Sequence, residues 1–453
     1  MKILVITARY PPYHFGGYEI RNKHIIDELH SRGHRILVIT STEGTTSKAP
    51  HQVDRYKISR KLHIIDNARD FANKVFGLLH KRRFPTNGFS NTPTSDLDQL
   101  WSHPYKTLLS FVIELIFDLF DLRFIDRQIK RFQPDVIYLG HITNLSKSLM
   151  PYLAACSIPI VYDEGGSGLI DSWEERGTWY KFIHEYASRY AILNTIKPFV
   201  IKFVCKLSGN KINTRWSWPA NMHIFFNSEL NHLNAIARKV PVNGSMVIHS
   251  GINPEKFKYQ SKTSFGNPLL LIIPGRIEPR KGQLDGVKLL ATLREIGIDG
   301  NLIIVGESWS NSYYLELINE INKFSLVDKI TIMSMITQDK LIDLYHKADI
   351  CFFPSYFKTG FSRIPLEAMA CGCILISYGN EGSDEIIRYK QTGFLVPSGD
   401  YLGMANIIRE MITFPDLAKE IGWEARKYVE NNHSMQKYVD RIDEIIINTA
   451  GAR

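Results

Sequence analysis

The sequence predicts an α/β protein with two Rossmann-like domains whose parallel sheets face each other across a cleft. Three observations support this fold class. The chain has 453 residues, a length that suits two or three domains. Short, continuous apolar runs alternate with segments of helical periodicity, as they do in parallel sheets. A polar, turn-rich segment at 252–268 separates two such series, and ligands of such tandem folds usually bind in the cleft.

The first domain is predicted over residues 1–252. It opens with the apolar run KILVIT, which is followed by the turn PPYHFGG, a helix over 18–32 and a second strand at 35–40. Such a βαβ unit predicts a parallel sheet with a right-handed crossover. Residues 41–105 are less regular. Further strands of this domain are predicted at 135–140, 159–164, 221–228 and 245–251.

The second domain is predicted over residues 253–433, with a helix in each gap between its strands. The amphipathic helix predicted over 434–450 is a candidate to pack back on the first domain. The strands of the second domain are predicted at 269–275, 301–307, 329–335, 349–355 and 373–379.

Composition narrows the class of protein. The hydrophobic fraction of 44% provides for a sizeable core and excludes wholesale disorder. Five cysteines, an odd number, indicate reduced thiols in a cytoplasmic protein, and Cys371 and Cys373 lack a second pair at zinc spacing. Neither a signal peptide nor a membrane span is predicted, because the best apolar stretch, 108–120, is short and contains Glu114 and Asp118.

The net charge of +9 lies entirely in the first half of the chain. Residues 1–252 contain 32 Lys and Arg against 21 Asp and Glu, whereas the remainder contains 23 against 25. The segment 178–215 holds seven cations among aromatic residues and one acid, Glu185. This pattern favours peripheral binding to an anionic membrane surface, with an ordinary cationic domain helix as the alternative. No nucleic-acid recognition motif accompanies it.

Three motifs indicate a site for a phosphorylated ligand. Gly16 and Gly17 lie between the first strand and the first helix, where backbone amides and a helix N-terminus favour an anion. Arg276 and Lys281 follow the first strand of the second domain and could bind a diphosphate, or could be two solvated cations. Glu367 lies at the start of a helix, where it could accept ribose hydroxyls or interact with the helix dipole.

The ordered set of segments is more specific than any one motif. The chain contains, in order, PPYHFGGYEI, DELHSRGHRILVITS, FNSE, SGINPEKF, GRIEPRKG, LIIVGE, LEAMACG and TGFLVPSGD. With them it resembles, over nearly its whole length, the retaining GT-B glycosyltransferases of family 4, or glycosyl transferases group 1. The resemblance implies transfer of a hexosyl unit from a UDP- or GDP-sugar, with retention, to a glycan or lipid-linked saccharide acceptor. It also implies a role in surface polysaccharide or glycoconjugate synthesis.

The resemblance implies roles for individual residues. Gly16 and Gly17 would lie against the donor diphosphate, and Arg276 and Lys281 would bind it and act in catalysis. No cofactor and no metal are required, since these cations can stabilise the departing diphosphate. Gly382 and the turn before Glu385 resemble a segment that lines the donor site. The donor-binding set implied in this way is Gly16, Gly17, Arg276, Lys281, Met335, Thr359, Gly360, Phe361 and Glu367.

Two departures from the family pattern keep alternatives open. Thr359 stands where the first glutamate of the E-x7-E signature is expected, which puts donor identity and activity in question. No histidine follows the strand VYDEGG, so His14 and His141 are the nearby candidates for a catalytic role.

Asp96 and Asp98 form a DxD pair without a preceding strand and are interpreted as a chance match. The alternatives are a nucleotide-sugar 2-epimerase of GT-B fold and a non-catalytic nucleotide-sugar-binding subunit.

Overall fold

The structure is a computed structural model. It describes residues 1–12, 17–42, 55–64, 104–166, 168–175, 217–261 and 265–451, with isolated positions between 195 and 206. The chain divides into two compact units. Unit 1 comprises Met1–Phe225, Ala235–Ser245 and Asp443–Arg453, and unit 2 comprises Phe226–Asn234 and Met246–Ile442.

The first sheet is parallel along its registered strand pairs. Its strands are β1 (Lys2–Ile6), β2 (Arg35–Ser41), β3 (Lys57–Leu62), β4 (Val136–Leu139), β5 (Ile160–Glu164), β6 (Met222–Phe226) and β7 (Met246–Val247). They lie in the order β3-β2-β1-β4-β5-β6-β7. Strands β4 and β5 are buried throughout, as expected of apolar runs covered on both faces.

Helices connect the strands of the first sheet. They are α1 (Gly17–Ser31), α2 (Pro104–Phe132), α3 (Leu149–Ala154), α4 (Gly168–Glu175) and α5 (Glu229–Ala237). The apolar stretch 108–120 is part of α2, and no helix among the described residues is both long and apolar enough to cross a bilayer. Two sequence expectations need correction: edge strand β3 lies in the segment taken as irregular, and the strand expected at 245–251 has only two residues.

The second sheet repeats the same strand order. Its strands are β8 (Leu269–Pro274), β9 (Gly300–Val305), β10 (Ile330–Met333), β11 (Ile350–Phe353), β12 (Ile374–Ser377) and β13 (Phe394–Leu395). They are parallel and lie in the order β10-β9-β8-β11-β12-β13. The five predicted strands are all present, and β13 is an additional short edge strand.

Helices fill the gaps between the five predicted strands of the second sheet, as the sequence predicts. They are α6 (Gln283–Glu295), α7 (Asn311–Lys323), α8 (Gln338–Lys347) and α9 (Ile364–Cys371). Three more helices follow β13: α10 (Tyr401–Thr413), α11 (Pro415–Asn432) and α12 (Met435–Gly451), whose last part, from Asp443, belongs to unit 1. Alternate side chains of β8 pack into two separate cores: Leu271 and Ile273 on one face, Ile272 on the other. Burial on both faces explains why this strand is apolar throughout.

The strand order confirms the predicted fold class for each unit. In chain order, six strands of each sheet run 3-2-1-4-5-6, which is the doubly wound Rossmann arrangement. Two Rossmann-like units of this kind constitute a GT-B fold. In unit 2 the strand order reverses between β8 and β11, and ligands of such sheets bind outside the carboxyl ends at this reversal.

Candidate functional site

The candidate site lies in unit 2, where the segments after β8 and β11 meet at the point where the strand order reverses. Gly282 ends a short 3-10 turn at Pro279–Lys281 with φ at +70°. A Cβ at this position would lie 2.2 Å from the carbonyl oxygen of Pro354, which follows β11. Only glycine permits this approach, so the sequence RKG brings Lys281 against the end of β11.

Lys281 is largely buried and is already paired. Its Nζ donates to both carboxylate oxygens of Glu381, at 2.5 and 2.8 Å, and the exposed fractions of the two side chains are 11% and 8%. The Oγ of Ser355 also donates to Glu381. The ammonium is therefore a fixed cation with one further N–H, and not the solvated surface cation that the sequence left as an alternative.

Arg276 is on the same segment but has a different setting. Its guanidinium stacks 4.3 Å from the ring centroid of Trp309 and lies 3.4 Å from Glu278. The same glutamate binds Arg280 at 2.9 Å. About a third of the Arg276 side chain is exposed, so its N–H groups are accessible to an anion.

The loop at 359–362 and the turn at 380–383 lie side by side. The N–H of Ser362 donates to the backbone oxygen of Glu381 at 2.9 Å. The Phe361 ring covers Gly382, where a Cβ would be 2.5 Å from Phe361 Cδ2. Thr359 and Gly360 are half-buried, and Gly360 N–H donates to Asn231 at 3.0 Å. The sequence-predicted donor residues of this loop thus lie next to the turn that carries Glu381.

Glu367 lies in the first turn of α9 and is 7% exposed. Burial raises its pKa, and the guanidinium of Arg363, 3.3 Å away, opposes that shift. The hydroxyl of Tyr345 donates to its other oxygen at 3.4 Å. The carboxylate is thus held by an arginine at a helix start, an arrangement that suits both a structural role and acceptance of a ligand hydroxyl.

The remaining candidates of the sequence are scattered or lie outside the described residues. Met335 follows β10 and is 75% exposed. Gly17 begins α1 of unit 1, and a Cβ added there would have no atom of the described residues within 4 Å beyond its own neighbours in the chain and helix. Gly16 and His14 lie outside the described residues, as do Asp96, Asp98 and most of the segment 178–215. In the part of the chain that the structure describes, no group of three or more His, Cys, Asp or Glu could hold a metal ion.

His141 follows β4 in unit 1, the position at which the sequence suggested a catalytic histidine. Its ring lies 5.3 Å from the ring of Tyr18, and its Nδ1 makes no hydrogen bond with a described residue. Burial, with Arg9 and Arg21 nearby, lowers its pKa to about 4. The imidazole is therefore neutral near pH 7 and is a weak base.

The two carboxylates at the end of β5, Asp163 and Glu164, are occupied by hydrogen bonds within unit 1. Asp163 accepts two hydrogen bonds from Arg21, at 2.6 and 2.7 Å, and one from Tyr138 at 2.8 Å. Glu164 accepts the backbone N–H groups of Gly166 and Leu169 at the start of α4. Burial nevertheless raises the pKa of Glu164 to about 7. Both carboxylates occupy the position where a histidine was expected.

Sequence reasoning missed a second group of polar residues in unit 2. Glu385 accepts His249 Nε2 at 2.6 Å and the N–H of Glu229, the first residue of α5. His249 stacks on Phe361, and its ring lies 5.8 Å from the buried ring of His433. Burial, with His249 nearby, lowers the pKa of His433 to about 4. The signal in the sequence was the turn before Glu385, but its partners are far away in the chain.

The arrangement around Lys281 can hold an anion and a polyol together. Arg276 and Lys281 supply positive charge at the carboxyl edge of the sheet, where the strand order reverses. Glu381 and Ser355 supply acceptors for hydroxyl groups beside Lys281, and α9 of the same unit supplies the carboxylate of Glu367. A phosphate ester of a sugar or nucleoside has both kinds of group.

Comparison with known proteins agrees with this geometry. Residues 255–428, within which the site lies, match the family described as "Glycosyl transferases group 1". A glycogen synthase of Mycobacterium tuberculosis is 26% identical over 190 residues, which are 42% of this chain and 45% of that protein. The capsular polysaccharide biosynthesis glycosyltransferase CapM of Staphylococcus aureus is 25% identical over 162 residues, which are 36% and 41% of the two chains. The match thus spans less than half the length of these relatives.

A solved structure shares the whole fold. HepE of Anabaena, determined in complex with UDP, aligns with a TM-score of 0.61 and 18% identity. The alignment covers 99% of this chain and 100% of HepE, so the two-unit architecture is common to both proteins. Unit 2 of this GT-B chain is thus similar, over residues 255–428, to the glycosyl transferases group 1.

Proposed function

We propose that this protein is a glycosyltransferase that moves a hexosyl unit from a UDP- or GDP-sugar to a glycan or lipid-linked saccharide acceptor. One observation carries the proposal: Lys281 and Arg276 lie where the strand order of the second sheet reverses, within the segment that matches the glycosyl transferases group 1. Polysaccharide relatives and the UDP complex of HepE support a nucleotide-sugar donor and a role in polysaccharide synthesis.

The proposed chemistry depends on stabilising the leaving group. Arg276 and Lys281 donate to the diphosphate, and their charge offsets the negative charge that develops as the bond to the sugar breaks. The acceptor hydroxyl attacks from the side of the leaving group, so the configuration at the sugar carbon is retained. The charge that a divalent metal would otherwise supply comes from the two side chains. Glu367 holds the nucleotide ribose.

A peripheral membrane location belongs to the same proposal. Phe199 and Phe203, each in helical conformation, are 73% and 62% exposed, and Lys202 and Lys206 are also exposed. Exposed aromatic residues next to lysines suit the interface of an anionic membrane. A lipid-linked acceptor would lie at such a surface, on the cytoplasmic side, where the donor nucleotides are.

A nucleotide panel tests the donor. We expect UDP or GDP, at 100 times its Kd, to raise the free energy of unfolding by about 2.7 kcal/mol, because the ligand binds only the folded state. The bound nucleotide-sugars are then incubated with the protein, and release of nucleoside diphosphate is measured. Transfer or slow hydrolysis supports the enzyme, whereas epimerised sugar supports a 2-epimerase.

Two negative results have different meanings. Binding of a nucleotide-sugar without any turnover, in the presence of membranes and saccharide acceptors, favours a non-catalytic subunit. The absence of stabilisation by every nucleotide in the panel refutes the proposal, since a donor site must bind its own product.

A further inference from the structure

Glu381 is unusual among the described residues because it combines burial with a left-handed backbone. Six described residues other than glycine have positive φ: Gln133, Asn144, Lys239, Ser325, Glu381 and Lys390. Of these six, Glu381 alone is buried, with 7% of its surface exposed and φ at +52°. A glutamate at such a φ costs free energy that a glycine would avoid, and such outliers persist where surrounding contacts require them.

The hydrogen bonds of Glu381 to other described residues are made by its carboxylate and its carbonyl. Lys281 Nζ binds both carboxylate oxygens, and Ser355 Oγ donates to one of them. The backbone oxygen accepts the N–H of Ser362. The turn is therefore built so that a carboxylate, rather than a small side chain, lies against the candidate diphosphate-binding lysine.

The carboxylate of Glu381 lies beside a loop in which the family resemblance implies a glutamate that this chain lacks. The family resemblance calls for a glutamate at position 359, but Thr359 has one hydroxyl and no charge. The turn that carries Glu381 is hydrogen-bonded to this loop at Ser362 and packs under its Phe361 ring. A carboxylate from the turn thus lies beside the loop that lacks one.

We propose that Glu381 is a specificity-determining residue whose carboxylate accepts hydrogen bonds from the hydroxyls of the donor's sugar. This inference rests on the proposed function, because it requires that Lys281 bind the donor diphosphate. The sugar is bonded directly to that diphosphate, so the carboxylate that touches Lys281 is a candidate acceptor for its hydroxyls. Glu381 then selects among sugars that carry the same nucleotide.

The hydrogen-bond donors and acceptors balance. Lys281 has three N–H donors, of which two are bound to Glu381 in the structure. The third N–H can donate to a phosphate oxygen. The carboxylate has about four lone-pair sites, of which three accept hydrogen bonds from Lys281 and Ser355, so one site remains for a further donor. Phosphate oxygens cannot fill it, because they too are acceptors, whereas a sugar hydroxyl can donate to it. No bond is formed or broken in this step, and only hydroxyls at suitable positions can satisfy the carboxylate.

The test compares each diphosphate with its sugar ester. Titration calorimetry gives the affinities of UDP, UDP-glucose, GDP and GDP-mannose for the wild type, Glu381→Gln and the control Glu430→Gln. Glu430 pairs with Arg426 of the same unit, on α11 and outside the candidate site. We expect Glu381→Gln to lower the affinity ratio of sugar ester to diphosphate about ten- to hundredfold, the effect of losing a hydrogen bond to a charged group. The control keeps the wild-type ratio.

Other roles of Glu381 predict that its substitution leaves the ratio of the two affinities unchanged, and that result would overturn the inference. If Glu381 only competes with phosphate for Lys281, the variant binds diphosphate and sugar ester more tightly by the same factor. If it only positions Lys281, both affinities fall by the same factor. A wild type that binds none of the four ligands refutes the proposed function itself, whereas binding with an unchanged ratio refutes only the role of Glu381.

Two further variants keep the test decisive if Glu381→Gln folds poorly. Glu381→Gly removes the carboxylate at a φ that suits glycine, so the backbone is relieved rather than strained. We expect Glu381→Gly to lower the affinity ratio of sugar ester to diphosphate as much as Glu381→Gln does. Adding Thr359→Glu to Glu381→Gln returns a carboxylate to the adjacent loop, and we expect it to recover part of the lost ratio. A double variant that remains as unselective as the single one contradicts the shared role.

Discussion

Arg276 and Arg280 form a matched pair for testing which cation binds the donor. Both arginines bind Glu278, at 3.4 and 2.9 Å, and each stacks on an aromatic ring, Trp309 or Phe357, at 4.3 and 4.5 Å. Their side chains are 36% and 41% exposed. Of these two arginines, the proposed function assigns donor binding to Arg276, so we expect Arg276→Ala and Arg280→Ala to differ mainly in ligand binding.

The expected magnitudes follow from this similarity. Each arginine is more than a third exposed, and the largely buried Glu278 keeps one arginine partner in either variant. Either substitution should therefore change the free energy of unfolding by a small and similar amount, about 0–1 kcal/mol. A hydrogen bond to a charged phosphate contributes roughly 1.5–3 kcal/mol. We therefore expect Arg276→Ala to weaken UDP or GDP binding, and to lower kcat/KM, about ten- to hundredfold. Arg280→Ala should leave both quantities near the wild-type values.

The assay measures the Kd of the nucleotide by calorimetry and the stability by guanidinium unfolding, at the same ionic strength for all three proteins. Fixed salt matters because phosphate affinity is partly electrostatic. Equal Kd values for the two variants would remove Arg276 from the site. A larger loss in Arg280→Ala would instead mean that the stacking partner Phe357, next to the β11 loop, marks the diphosphate position.

Further predictions concern stability, pH, metal and membrane. Lys281→Ala should lower the free energy of unfolding by about 3–5 kcal/mol in denaturant titration, since Glu381 is left buried without its cation; an unchanged midpoint would show that the pair is hydrated. The folded pKa of His433, about 4, lies below its unfolded value, so stability falls as pH drops from 6.5 to 4. His433→Phe should reduce that loss by up to about 3 kcal/mol, and an unaltered pH profile would contradict this. Glycosyl transfer should survive EDTA because Arg276 and Lys281 supply the positive charge that stabilises the diphosphate. A loss of activity in EDTA that Mg²⁺ restores would make Asp96 and Asp98 candidate metal ligands. Wild-type protein should float with anionic vesicles at low salt. Neutralising Lys197, Lys202 and Lys206 should weaken vesicle binding by about 1 kcal/mol per lysine. Wild-type protein that stays in the soluble fraction would refute the proposed membrane-binding surface.

Local patterns were sufficient for the fold. Apolar runs such as LLLIIP at 269–274 and LIIV at 302–305 are typical of buried strands, and the helical segments between them favour parallel pairing. The short strands escaped prediction because two-residue elements such as Phe394–Leu395 carry no periodicity. Edge strand β3, KISRKL, is half charged and reads as a polar segment, although the sheet edge accepts it.

Which charges meet in the candidate site was decided by the tertiary structure. Lys281 and Arg276 were recognisable as candidate anion ligands because they follow an apolar strand in a glycine-containing turn. Glu381, the partner of Lys281, is 100 residues away from it in the chain. The turn that carries Glu381 is also hydrogen-bonded to the loop that contains Thr359. Ion pairs of this kind depend on which loops converge at one sheet edge. That convergence is set by strand order and by the close packing at Gly282 and Gly382, neither of which periodicity reveals.

The sequence by itself therefore determined the two α/β series and the cationic segment, because hydrophobic periodicity and turn residues act over a few neighbouring positions. The tertiary structure decided that Lys281 is a buried, paired cation, that His141 is a neutral imidazole, and that a carboxylate lies beside Thr359's loop. The physical reason is that pairing and pKa depend on burial and on contacts between residues distant in the chain.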